Sequence, residues 1–150
     1  MLATIVALSL AVSPAFAVEE KELSEDAKKE LKKLEGKWTA TKVIAEGKEE
    51  TPPEDRNTVE FKERKFLFGD KELFDVAALD PSTNPKCLDF KAVIDMGEIQ
   101  KGTVYEAIYK VDGDTLTLAI YVGGSGNRPS KFESAEGSKT VVVTFERQKK

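Results

Sequence analysis

From Lys37 to Arg147 the chain alternates apolar and polar residues in one stretch after another, and the links between stretches are too short for a crossover helix. That pattern constrains the fold more than any other feature, because strands joined by short links run antiparallel to their chain neighbours. The stretches are KWTATKVIA (37–45), TVEF (58–61), KFLF (65–68), KELFDVAALD (71–80), KCLDFKAVI (86–94), TVYEAIYKV (103–111), TLTLAIYV (115–122) and KTVVVTFER (139–147). Asp112-Gly113-Asp114 joins two of them as a hairpin, since glycine accepts positive φ and both flanks alternate. Eight such strands with one apolar face close most readily into an up-and-down barrel, which leaves no exposed edge. A two-sheet sandwich is the alternative. The expected fold class is all-β, with polar loops at 46–57, 95–102 and 123–138.

Alternation assigns the faces. Leu88 and Phe90 point inward with Cys87 and Asp89 outside. Tyr105, Ala107, Tyr109 and Val111 form the inner set of their strand, against Val104, Glu106, Ile108 and Lys110. Leu116, Leu118 and Ile120 share one face, as do Val141, Val143, Phe145 and Arg147. With Val59, Phe61, Phe66 and Phe68 this lining either fills a barrel or leaves room for one small ligand. Asp75 and Lys42 interrupt the alternation and are candidates for a polar handle in the lumen.

A different period precedes the strands. LSEDAKKELKKLEG (23–36) places Leu23, Ala27, Leu31 and Leu34 at helical spacing, with Ser24 as a cap and Gly36 as the stop. Residues 18–35 are therefore expected to be a short amphipathic helix lying across a barrel end, and 36–150 the barrel domain. Before them, MLATIVALSLAVSPAFA (1–17) is almost wholly apolar and ends in Ala15-Phe16-Ala17, the small-x-small pattern of a signal-peptidase site. It is short for a membrane span, and it lacks a positive residue ahead of its apolar run. The expectation is a signal peptide cut after Ala17 and an extracytoplasmic product, periplasmic or secreted.

Two absences narrow the chemistry. The 150 residues contain no histidine, which removes the commonest general base, the Ser–His and Cys–His couples and the commonest metal ligand. The single cysteine, Cys87, permits no intramolecular disulfide and no thiolate cluster. A net charge of -4 with interspersed signs offers no basic stripe for nucleic acid and no attraction to an anionic membrane. No enzyme activity, cofactor or metal is expected.

LEGKW (34–38), NPKCLDF (84–90), YKVDGDTLTLAIY (109–121), NRPSKFES (127–134) and VVVTFER (141–147) resemble, in that order, an uncharacterised lipocalin-like domain family of planctomycete bacteria, over about Leu34 to Arg147. The resemblance implies an extracytoplasmic, eight-stranded lipocalin-like barrel and no established activity. Gly36, Trp38 and Arg147 are also similar to the lipocalin pattern in which a Gly-x-Trp on the first strand meets an arginine from the last. A guanidinium on an indole face gains cation–π energy and covers the barrel's closed end, so these residues are assigned to barrel closure. Tyr105, Tyr109 and Arg128 are the candidate ligand-binding residues, two on the lining and one at the rim. The expected function is non-catalytic binding of a small, partly apolar or amphiphilic ligand. The alternative is a protein-interaction or inhibitor module of the cell envelope, acting through loops 46–57 and 123–138.

Overall fold

The computed structural model describes residues 22–124 and 126–149; the expected signal peptide lies outside them. One helix, α1 (Glu25–Leu34), precedes nine strands: β1 (Gly36–Ala45), β2 (Lys48–Glu50), β3 (Thr58–Lys62), β4 (Lys65–Phe68), β5 (Lys71–Asp80), β6 (Lys86–Ala92), β7 (Val104–Asp112), β8 (Thr115–Tyr121) and β9 (Thr140–Arg147). Every strand from β3 onward pairs antiparallel with the next, and β9 returns to β1. All nine except β2 close the ring, leaving eight in an antiparallel barrel with one short helix, as in lipocalins.

The short strand β2 lies in what the sequence presents as a plain polar loop. It forms because Glu46 and Gly47 both take positive φ (53° and 74°), which folds Lys48–Glu50 back along Val43–Ala45. The same stretch of β1 also pairs with β9, so β2 is a flap on the seam rather than a barrel stave.

Three irregularities set the phase of the alternation. Register shifts fall between Ala40 and Lys42, between Phe66 and Leu67 (opposite Leu73), and between Val76 and Ala78. Each inserts an extra residue in one strand and turns the following side chains over. Leu73 and Phe74, neighbours in sequence, are consequently both buried. Lys42, weighed as a lumen handle, instead pairs outside with Glu49 of β2 at 3.4 Å, and its side chain is 45% exposed. Asp75 pairs in register with Lys65 of β4, between inward-facing Phe74 and Val76. At the Val76 bulge Arg64 acts as a staple: its backbone carbonyl accepts from the Val76 N–H (2.7 Å) and its guanidinium donates back to the Val76 carbonyl (2.8 Å).

Helix α1 closes one end of the barrel. Ser24 caps it by accepting from the Ala27 N–H at 3.1 Å, and Leu23, Ala27, Leu31 and Leu34 join the barrel core. The helix ends where the Gly36 signal places its stop. Glu35 is the cap residue, and Gly36, at φ 119°, opens β1. A helix end leaves its last carbonyls without partners, and here two barrel side chains supply the donors. Trp38 Nε1 donates to the Leu34 carbonyl (2.8 Å), while Arg147 donates to the carbonyls of Lys33 (2.5 Å) and Glu35 (2.8 Å). The Arg147 guanidinium lies 4.2 Å from the centre of the Trp38 ring, with Trp38 wholly buried beneath it. The positive φ is what calls for glycine at 36; a Cβ there would meet Arg147 Nη1 at 3.4 Å, an ordinary contact.

Replacing Trp38 with Ala is expected to cost about 3–5 kcal/mol, the range for a fully buried aromatic. Arg147→Lys, which keeps the charge but loses the fork, should cost about 1–2 kcal/mol. Urea denaturation followed by far-UV circular dichroism measures both. A near-neutral Arg147→Lys would show that the helix carbonyls do not need their donors.

Candidate functional site

The inner wall meets itself. Phe61 and Phe66 stand edge to face at 4.9 Å between centroids, Phe66 and Phe90 at 5.5 Å, and Phe74 and Tyr105 at 6.1 Å, while Phe74 and Phe90 are tilted at 5.4 Å. These are contact distances for aromatic rings. Trp38, Leu88, Tyr109 and Leu116, all 0% exposed, continue the packing toward the helix. Side chains occupy the middle of the barrel, so the functional question moves to its two ends and its outer face.

At the helix end, Glu30 is a nearly buried carboxylate whose side chain is 8% exposed. Tyr109 donates to its Oε2 at 2.9 Å, Lys86 reaches the same oxygen at 3.2 Å, and Lys33 donates to Oε1 at 2.9 Å. Burial alone disfavours the charged carboxyl, but the bonds from Lys33, Tyr109 and Lys86 outweigh it and hold Glu30 below its ordinary pKa of 4.5. Burial, and then the bond to Glu30, push the Tyr109 phenol well above its usual range, so it remains a donor. This cluster ties helix to barrel with every oxygen occupied. Beside it Asp26, Lys29, Lys33, Pro81, Ser82 and Lys86 line a shallow polar concavity.

The opposite end, the mouth, is covered by the segment between β6 and β7. Met96 and Ile99 bridge to each other (2.8 and 2.9 Å), Lys101 N–H donates to Asp95 (2.9 Å), and Ile94 and Ile99 pack onto the core. Tyr105 comes up from the inner wall to meet this cover. Its hydroxyl accepts from the Gln100 N–H at 2.9 Å and stands 3.5 Å from the Glu98 carbonyl. Between the cover and the end of β8 lies a groove of about 240 Å³ lined by Glu98, Gln100, Thr103, Tyr105, Val122, Gly123, Gly124 and Lys139. Here a side chain of the filled inner wall also faces a concave surface.

Arg128 lies elsewhere, on the outer face. It donates to Asp89 at 2.6 Å and to the Ala107 carbonyl at 2.9 Å, with Glu106 at 3.7 Å. The bond to Asp89 raises its pKa and keeps it charged. Four residues on, Phe132 covers a second apolar cluster of Ile108, Ala119 and Val142, with Ile44 and Cys87 at its margin, and Lys110 stacks on the ring at 4.7 Å. Ile108, assigned to the outer face by alternation, is buried there because loop 123–138 straps over it. Cys87, half-buried at the edge, accepts from the Thr83 hydroxyl at 3.2 Å.

The three residues singled out for ligand contact therefore do not converge. Tyr105 is at the mouth, Tyr109 serves Glu30 at the other end, and Arg128 fastens the outer loop. Sequence reasoning passed over Glu30, although an acid between Ala27 and Leu31 on the apolar stripe is a usable signal. It also passed over Thr103, Gln100 and Lys139, which nothing in the local pattern marks. Among the described residues no group of three His, Cys, Asp or Glu side chains is placed to hold a metal, and no helix is long and apolar enough to cross a membrane. Comparison of the chain with family models, curated proteins and solved structures found no match.

Because Glu30 titrates lower in the folded protein than in the unfolded chain, its contribution to stability is complete above the unfolded value near 4.5 and is lost as pH falls through the folded value. Glu30→Gln should cost about 1–3 kcal/mol at pH 7 and fall less steeply with acidification than the parent, measured by urea denaturation at a series of pH values. Phe132→Ala should raise hydrogen exchange in residues 123–138 while leaving the barrel amides protected. Uniform exchange across the barrel would mean that the strap and the barrel unfold together.

Proposed function

We propose that this chain is an extracytoplasmic, lipocalin-like domain that binds a small, partly apolar ligand without transforming it, and that the ligand lies at the barrel's mouth. The observation that carries the reading is the groove in which Tyr105 of the inner wall, Thr103 and Val122 border the cover segment. With rings packed through the middle of the barrel, a ligand at this end displaces no core side chain. At about 240 Å³ the groove suits a molecule of a few carbons, just under the usual range of about 300–1,000 Å³ for drug-sized pockets. Tyr109 and Arg128, whose polar atoms are engaged within the protein, act as structural residues in this reading. Extracytoplasmic placement rests on the Ala15-Phe16-Ala17 leader, and membership of the planctomycete lipocalin-like family rests on the ordered motifs from Leu34 to Arg147.

A second reading is a protein-interaction module acting through loops 46–57 and 123–138. It is favoured by the contact that joins them: the Gly137 N–H donates to Glu46 at 2.7 Å, making one surface of two loops. Titration of the labelled protein with hexan-1-ol separates the readings. Saturable shifts at the amides of Thr103, Tyr105, Val122, Gly123 and Gly124, weakened in Tyr105→Ala, are expected for the ligand site. No shift at those amides up to the solubility limit, with hexan-1-ol and with hexanoate alike, would reject it.

A further inference from the structure

Lys139 is built in a way that ordinary surface lysines are not. Its backbone takes φ 55°, a left-handed conformation that side chains with a Cβ adopt at a cost, directly ahead of β9. Its carbonyl accepts from the Val122 N–H at 2.9 Å, which fixes it against the end of β8. Its aliphatic stem crosses Gly123 so closely that a Cβ there would stand 2.7 Å from Lys139 Cδ and 2.5 Å from the Tyr121 hydroxyl. With these side chains in place Gly123 leaves room for the stem, and Lys139 is one of the residues that line the mouth groove. Among the described residues the ammonium has no ion-pair or hydrogen-bond partner.

A second donor faces the same space. The Tyr105 hydroxyl accepts a firm bond from Gln100, but its own proton has only the Glu98 carbonyl at 3.5 Å. That is long for an O–H donor, whose bonds run about 2.5–3.0 Å. Thr103 and Glu98 line the groove as well. Lys139 and the Tyr105 phenol thus give one wall of the groove a cation and a donor with no firm acceptor of its own. We propose that the ligand of this site is a short-chain monocarboxylate, its anionic end on Lys139 and Tyr105, oriented away from Glu98, and its alkyl end toward Val122. This rests on the mouth-groove reading above and names the ligand class for it.

The experiment compares hexanoate with hexan-1-ol on the full chain at pH 7, by amide shifts and by the Lys139 ε-methylene resonance. Hexanoate, and not hexan-1-ol, should move the ε-methylene signal of the unaltered protein. Lys139→Met, which retains an unbranched stem over Gly123, should weaken hexanoate about three- to fivefold, the value of an exposed ion pair, and leave hexan-1-ol unchanged. Added salt should weaken hexanoate alone. Equal affinities for the two probes, or an equal loss of both in Lys139→Met, would overturn the carboxylate assignment while leaving a neutral mouth site standing. Absence of mouth shifts with either probe would remove the site itself. Should Lys139→Met fail to fold, the ε-methylene comparison on the unaltered chain decides alone.

Discussion

The end of helix α1, the first strand and the last strand meet at one stacked pair, Arg147 over Trp38, and the geometry of the barrel follows from it. The indole brings a large apolar body to the closed end and one N–H that must find an acceptor. The helix brings terminal carbonyls that must find donors. Placing the guanidinium on the ring satisfies both needs, because its fork reaches the Lys33 and Glu35 carbonyls while the indole takes Leu34. A cation at this end also opposes the negative pole of the helix. Ring closure between β1 and β9 and seating of the helix therefore depend on the same two side chains.

With that end sealed and the middle filled by rings, the molecule differs from an open cup. Glu30 shows how the helix is kept in place: a carboxylate taken out of water is tolerable only when its oxygens are all engaged, and Lys33, Lys86 and Tyr109 engage them. The mouth, at the other end, is organised differently. There the cover segment satisfies most of its backbone within itself, and Tyr105 links it to the wall.

The outer face shows the reverse economy. Ile108, Ala119 and Val142 would be an exposed apolar patch on a bare barrel. Loop 123–138 covers them with Phe132 and is fastened at Arg128, so a long, Gly-rich segment contributes to the fold as a strap. The same loop continues through Gly137 to Glu46, tying the β1–β2 flap to it.

Much of this was legible in the order of residues. Period-two alternation with short links implies antiparallel neighbours, and the inward set of β7, Tyr105, Ala107 and Tyr109, follows from it because side chains on a pleat must alternate. The pairing of Trp38 with Arg147 was legible as a resemblance with a physical reason behind it. What the sequence could not carry was anything decided by the phase of the pleat or by loops returning from a distance. The bulges between Ala40 and Lys42 and between Val76 and Ala78 cost one residue each and leave no local mark, yet they set which way side chains beyond them face. Whether Ile108 meets water or Phe132, whether Glu30 is solvated or enclosed, and which residues share a groove with Lys139 depend on segments far away in the chain. Local periodicity determines the faces of a strand; only the closed tertiary fold determines what stands opposite them.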